Sequence, residues 1–333
     1  MSKIRGCIFG MAIGDGFGYP TEFLSVEEIQ ERWQPNGPQS PMGDPILVTD
    51  DTQMAIAVGR ALLQSRRDDF APSVLGKHLI ENFIEWLNDP QNNRAPGMTC
   101  LTACERLERG LDWEKATALH SKGSGANMRV LPVGLLTRWG VPIDQIGAIA
   151  QFQSAITHGH PTALAAADLT AITIVKILNG TPAHFLLDQL EEYVHAQLGN
   201  YHGPYLLEIW DRPPFRTSAD FINFGWEELS KMLLRVRQGI QEKNKEIDPC
   251  LVTGAGWTAE ESFATALYCF LLYPDDPIQA LRRAVFTSGD SDSIACLTGG
   301  FSGAYCGTEH LPKDWMDRIE YKSTLSQIVE AFE

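Results

Sequence analysis

Two short acidic motifs lie far apart in the chain, Thr49-Asp50-Asp51-Thr52 and Ser288-Gly289-Asp290-Ser291-Asp292-Ser293. Each opens a run with helical character, DTQMAIAV in the first case and IACLTGGFSGAYCG in the second. One reading is capping, because hydroxyl and carboxylate side chains accept from the unpaired N–H groups of a helix N-terminus and favour the positive end of its dipole. Capping explains either motif alone. It does not explain why the same arrangement occurs twice, each time beside a helix of small residues. A second reading brings the motifs together. Asp50, Asp51, Asp290 and Asp292, with the hydroxyls of Thr49 and Ser293, then offer a set of hard oxygen donors. Such a set suits Mg²⁺, Mn²⁺ or Ca²⁺ rather than zinc. Carboxylates converging on one point repel unless cations neutralise them. Two divalent ions roughly 3.5–4 Å apart would do so and could activate a bridging water.

Three other motifs could serve the same centre. In Gly14-Asp15-Gly16-Phe17-Gly18-Tyr19-Pro20-Thr21-Glu22 the alternating glycines predict a tight loop that ends a helix. Glu22 would follow that loop, either facing the acidic centre or lying solvated on the surface. His120 to Arg129 reads HSKGSGANMR, and Ser121, Gly123, Ser124 and Gly125 could form an anion cradle of backbone N–H groups. The spacing is not that of a Walker A loop. Thr157-His158-Gly159-His160-Pro161 precedes a long apolar helix, where a histidine is either structural or ligand-facing.

The elements that must position these residues read as helices. Apolar positions recur at helical spacing over 51–63, 74–87, 163–178, 186–198, 226–240, 262–273 and 277–285. Only Pro45 to Thr49 (PILVT) resembles a strand, and Arg212 to Ile222 is expected to be the longest irregular connection. No repeat period and no convincing linker appear, so one all-α domain over residues 1–333 is expected. Gly6, Gly10 and Gly14 recur every fourth residue, as do Gly299, Gly303 and Gly307. Each glycine inside a helix costs about 1 kcal/mol against alanine. Close approach of two backbones would offset that cost, so these two helices are predicted to meet in the core.

Composition bounds the partners. With 27 Lys and Arg against 42 Asp and Glu, the formal charge of −15 argues against a nucleic-acid backbone or an anionic membrane. An anionic ligand must therefore be held locally, by backbone amides or cations. The apolar stretch from Ile294 to Gly307 is too short to span a bilayer, and the N-terminus lacks a cleavage pattern. Seven scattered cysteines without a CxxC read as reduced thiols of a cytoplasmic protein, with Cys100 and Cys104 one helical turn apart in the core.

Taken in order, GDGFGYPTE, TDDT, GSGANMRVLPVGLL, THGHPTA and GDSDSIA with its glycine-rich helix resemble the ADP-ribosylglycohydrolase family. The matches run from about residue 4 to 307. The resemblance implies an all-α orthogonal multi-helix bundle with two Mg²⁺ or Mn²⁺ ions in a cleft. It implies Thr49, Asp50, Asp51, Asp290, Asp292 and Ser293 as metal ligands, and Glu22, Asp51 and Asp292 as the catalytic groups. Ser121, Gly123, Ser124, Gly125 and His158 would hold the diphosphate and ribose. The implied activity is removal of ADP-ribose from a modified protein side chain, with the arginine N-glycosidic bond favoured over a serine O-glycosidic bond. ADP-ribose would be the product and the protein a monomer. The alternative is a non-catalytic ADP-ribose binder that keeps the fold. Three positions depart from the family pattern: Ser293 stands where Thr is usual, Lys122 where some members carry an aromatic, and Ala95 where some arginine-directed members carry a carboxylate.

Overall fold

The computed structural model describes residues 2–333. Twelve helices of nine or more residues carry the fold: α1 (Lys3–Gly18), α2 (Asp50–Ser65), α3 (Pro72–Leu87), α4 (Met98–Glu108), α5 (Ile143–Ala155), α6 (Pro161–Leu178), α7 (Ala183–Ala196), α8 (Ser218–Glu242), α9 (Ala259–Leu272), α10 (Pro277–Val285), α11 (Ser291–Cys306) and α12 (Lys322–Phe332). Every helix expected from periodicity is present, and no sheet forms among the described residues. The architecture is all-α. Helix α6 is apolar and long enough to cross a membrane by composition, yet nearly all of its residues are buried among other helices. It is the central core helix.

The expected strand at 45–49 is absent. Ile46 makes one parallel bridge, donating to Arg318 O at 2.9 Å and accepting from Glu320 N at 3.0 Å. Pro45 has no N–H to extend it. The amides of Val48 and Thr49 are instead taken by the carboxylates of Glu320 and Asp15. The irregular stretch expected over 212–222 stops at Thr217. That residue caps α8 by accepting from Asp220 N at 3.0 Å, so Ser218 onward is helical. The local TSAD capping pattern carried that signal.

Helices α1 and α11 run antiparallel in contact along their whole lengths, as the glycine spacing predicted. A Cβ on Gly10 would sit 2.2 Å from Gly299 O, and one on Gly303 would sit 1.9 Å from Gly6 O. The alternating glycines at 14, 16 and 18 are not a loop. They form the last turns of α1, with Gly14 against Ala295 O and Gly18 against Ser291 O. Gly307 lies outside α11 and closes it with φ +82°. We expect Gly10→Ala to force the two helices apart and cost about 1–3 kcal/mol. Chemical denaturation at equal m-value is the test, and unchanged stability would mean the contact is not tight.

Candidate functional site

The antiparallel contact fixes where the chemistry sits. It places the C-terminal end of α1 beside the N-terminal end of α11, which brings Glu22 to the Asp290–Ser293 turn. Thr21 Oγ1 bonds both Gly18 O at 2.9 Å and Ser291 Oγ at 3.0 Å, and Ser291 Oγ donates back to Gly18 O at 3.0 Å. Carboxylate oxygens of Glu22, Asp290 and Asp292 consequently lie within 4.8 Å of one another. Asp290 occupies the N-cap position of α11 but makes no capping bond with its side chain, so capping does not account for its carboxylate.

The TDDT motif reaches the same place through α2. Here capping is real, since Thr49 accepts from Asp51 N at 3.3 Å. Asp50 accepts from Gly97 N at 3.2 Å, which ties the 94–97 loop to the site. Asp50, Asp51, Asp290, Asp292, Ser293 and Glu22 all line one cleft of about 260 Å³. Thr49 stands behind it, fully buried, its hydroxyl donating to Asp15 at 2.8 Å. A larger hollow of about 370 Å³ near Lys3, Arg138 and Glu333 gathers no comparable chemistry.

Gly123, Ser124, Gly125 and His158 line the same cleft. The segment pairs with 257–259, Ser124 N donating to Trp257 O at 3.0 Å and Ala259 N to Lys122 O at 2.8 Å. A Cβ at Gly125 would sit 2.7 Å from Cys100 Sγ and 3.1 Å from His158 Cε1, so the cradle has no room for a side chain there. Ser121 lies outside the cleft lining, with its hydroxyl 3.1 Å from Thr99 Oγ1. His158 is fully buried, and burial with the nearby Arg129 guanidinium pushes its pKa down to about 3. Arg129 Nη2 donates to Thr157 Oγ1 at 2.7 Å, and Thr157 Oγ1 lies 2.8 Å from His158 Nδ1. Thr157 can then donate to Nδ1, which leaves the proton of a neutral imidazole on Nε2, the atom beside Gly123.

Sequence reasoning missed three groups. Asp15, inside the glycine face of α1, accepts from both the backbone N–H and the hydroxyl of Thr49 and of Thr52. Its signal was an acidic residue inside a helix too glycine-rich to be exposed. Arg129 is buried behind the cradle and bonded to Gln153 and Thr157. Phe23 and Trp257 form part of the cleft rim although both are strongly exposed.

The electrostatics favour cations. Burial, then the charge of Asp292, pushes Asp15 up to about 7 and Glu22 to about 9. Burial and the neighbouring aspartates, partly opposed by the Gly97 hydrogen bond, take Asp50 to about 8. Asp51 and Asp290 are pushed well above the usual carboxylate range by burial and Asp292. Asp51 Oδ2 and Glu22 Oε2 are buried without any hydrogen-bond partner. Unpaired oxygens on crowded carboxylates fit a hard divalent cation. The folded pKa values exceed the unfolded value of about 4, so the folded chain binds more protons between about pH 4 and pH 9 and loses stability as pH rises through that window. We expect the melting temperature in chelator to fall from about pH 5 to about pH 8.5, and Mg²⁺ or Mn²⁺ to flatten that fall. A pH-independent melting temperature without cations would contradict the crowding.

A sequence profile described as ADP-ribosylglycohydrolase matches residues 1–333. An ADP-ribosylhydrolase of Bos taurus, ARH3, is 26% identical, the alignment covering 97% of this chain and 90% of the relative. The ADP-ribosyl-[dinitrogen reductase] glycohydrolase of Rhodospirillum rubrum is 24% identical over 96% of this chain and 91% of its own. A solved structure described as an ADP-ribosylglycohydrolase-related protein complex superposes with a TM-score of 0.68 at 23% identity, covering 99% of this chain and 96% of that one.

Proposed function

The chain belongs to the ADP-ribosylglycohydrolase family, and from that premise we propose that it removes ADP-ribose from a modified protein side chain, with arginine as the favoured acceptor and serine the second. The observation that carries this reading is the convergence of five carboxylates, Glu22, Asp50, Asp51, Asp290 and Asp292, on one cleft that a glycine cradle also lines. A non-catalytic binder would have no need to keep all five crowded together.

Asp50, Asp51, Asp290, Asp292 and Ser293 would hold two Mg²⁺ or Mn²⁺ ions, with Thr49 braced behind them. When bound, such ions neutralise the carboxylates and supply Lewis-acid polarisation of ribose hydroxyls and water. The backbone N–H of Gly125, the unpartnered hydroxyl of Ser124 and the Nε2 proton of His158 bind the diphosphate without a formal charge, the Ser124 N–H being taken by Trp257 O, and this suits a protein of net charge −15. Because His158 stays neutral down to about pH 3, that donor does not change across the physiological range. Glu22, which lines the cleft beside Asp290 and Asp292, would orient water at C1″ of the distal ribose and take its proton. Asp51 and Asp292 face the positive charge that develops on the ring as the glycosidic bond breaks. Seven unpaired cysteines, five of them buried, suit a reducing compartment, and we assign the protein to the cytoplasm as a monomer.

The test is incubation with arginine- and serine-ADP-ribosylated peptides, with Mg²⁺, with Mn²⁺ and with chelator, read by mass spectrometry. Metal-dependent release of ADP-ribose from the arginine peptide is expected. Tight binding of ADP-ribose with no release from either peptide would make the protein a binder instead.

A further inference from the structure

Phe23 and Trp257 stand at the cleft mouth with ring centroids 5.4 Å apart and planes at 17°. They are 66% and 42% exposed, so their outer faces are open. Phe23 is tied to the acidic end of the cleft, and Trp257 bridges that end and the glycine cradle, its carbonyl accepting from Ser124 N at 3.0 Å. Phe23 directly follows Glu22. Trp257 follows a strap in which Ala255 O accepts from Asp290 N at 2.8 Å, and a Cβ on Gly256 would lie 3.2 Å from Asp290 Cβ. Phe23 also holds φ +64°, a left-handed conformation that a bulky residue adopts at a cost. Packing into the core does not account for that cost, because the ring is mostly in solvent.

The chemistry around the pair selects its occupant. The cleft lining contains no Lys or Arg, and its five carboxylates would outweigh the four positive charges of two divalent ions. On the hydrolase reading the C1″ substituent would leave at the carboxylates, which both rings border. Ala95, on the same rim, has no charge with which to hold a leaving group. Exposed aromatic faces beside net negative charge take a planar, weakly hydrated cation, and a guanidinium stacks on them better than an ammonium or a hydroxyl does.

We propose that Phe23 and Trp257 form the acceptor subsite, stacking the guanidinium of the arginine from which ADP-ribose is removed. This rests on the hydrolase reading above and adds what distinguishes an arginine from a serine acceptor.

The experiment compares Phe23→Gly, Trp257→Leu and Trp257→Phe with the unaltered protein on arginine- and serine-linked peptides, and measures ADP-ribose affinity by calorimetry. Phe23→Gly suits the left-handed backbone, so it removes the ring without disturbing the turn. For the arginine peptide we expect KM to rise roughly 3- to 30-fold in Phe23→Gly and Trp257→Leu, with kcat within about twofold. Trp257→Phe should keep most of the affinity, and the Kd for ADP-ribose should not move. A parallel fall in ADP-ribose affinity would place the rings on the nucleotide and overturn the assignment. So would equal losses on the two peptides. If the unaltered protein releases ADP-ribose from the serine peptide alone, the subsite assignment fails while the hydrolase reading stands. Release from neither peptide overturns both.

Discussion

Asp292→Asn should lower turnover by about a thousandfold or more while making the metal-free protein more stable above neutral pH. The two effects have one cause. Asp292 is the common electrostatic neighbour of Asp15, Glu22, Asp50, Asp51 and Asp290, and its charge raises the pKa of each. Replacing it with an isosteric amide would remove a proposed metal ligand and relieve the repulsion in one step. The variant should melt higher than the unaltered chain in chelator and respond less to added Mg²⁺ or Mn²⁺. Thermal unfolding with and without cations reads this, alongside the peptide release assay. Undiminished turnover, or an unchanged cation-induced rise in melting temperature, would remove Asp292 from the centre.

Asp15→Ala should behave in the opposite way towards stability. Asp15 does not line the cleft, yet it binds the backbone N–H and the hydroxyl of both Thr49 and Thr52, and so locks the first turn of α2 to α1. Alanine would leave those buried donors unpaired, at a cost of about 1–3 kcal/mol for each group left unsatisfied. It would also loosen the turn that aims Asp50 and Asp51. Loss of such an outer brace typically weakens metal affinity about 10- to 100-fold. The expected result is therefore lower stability with or without cations, together with a rightward shift of the Mn²⁺ dependence of activity. Saturating Mn²⁺ should recover part of the rate, which it cannot do for Asp292→Asn. Equal Mn²⁺ dependence in Asp15→Ala and the unaltered protein would show that Asp15 serves the fold alone.

What the sequence determined by itself was local or periodic. The helix positions follow from apolar spacing, and the buried approach of α1 to α11 follows from glycines four apart, since a glycine face has few other uses. The two acidic motifs were legible because the same residue grammar occurred twice. Tertiary structure decided what depends on residues distant in sequence. Whether GDGFG is a loop or the end of a helix turned on the carbonyls of α11 that fill the space of the missing side chains. Whether PILVT pairs as a strand turned on Glu320 and Asp15 taking its amides. The separate work of Thr49 and Asp290 came from the fold as well, the first spent on a cap and on Asp15, the second withheld from capping. A short polar side chain at a helix start has several partners of similar energy within reach, and only the surrounding chain selects among them.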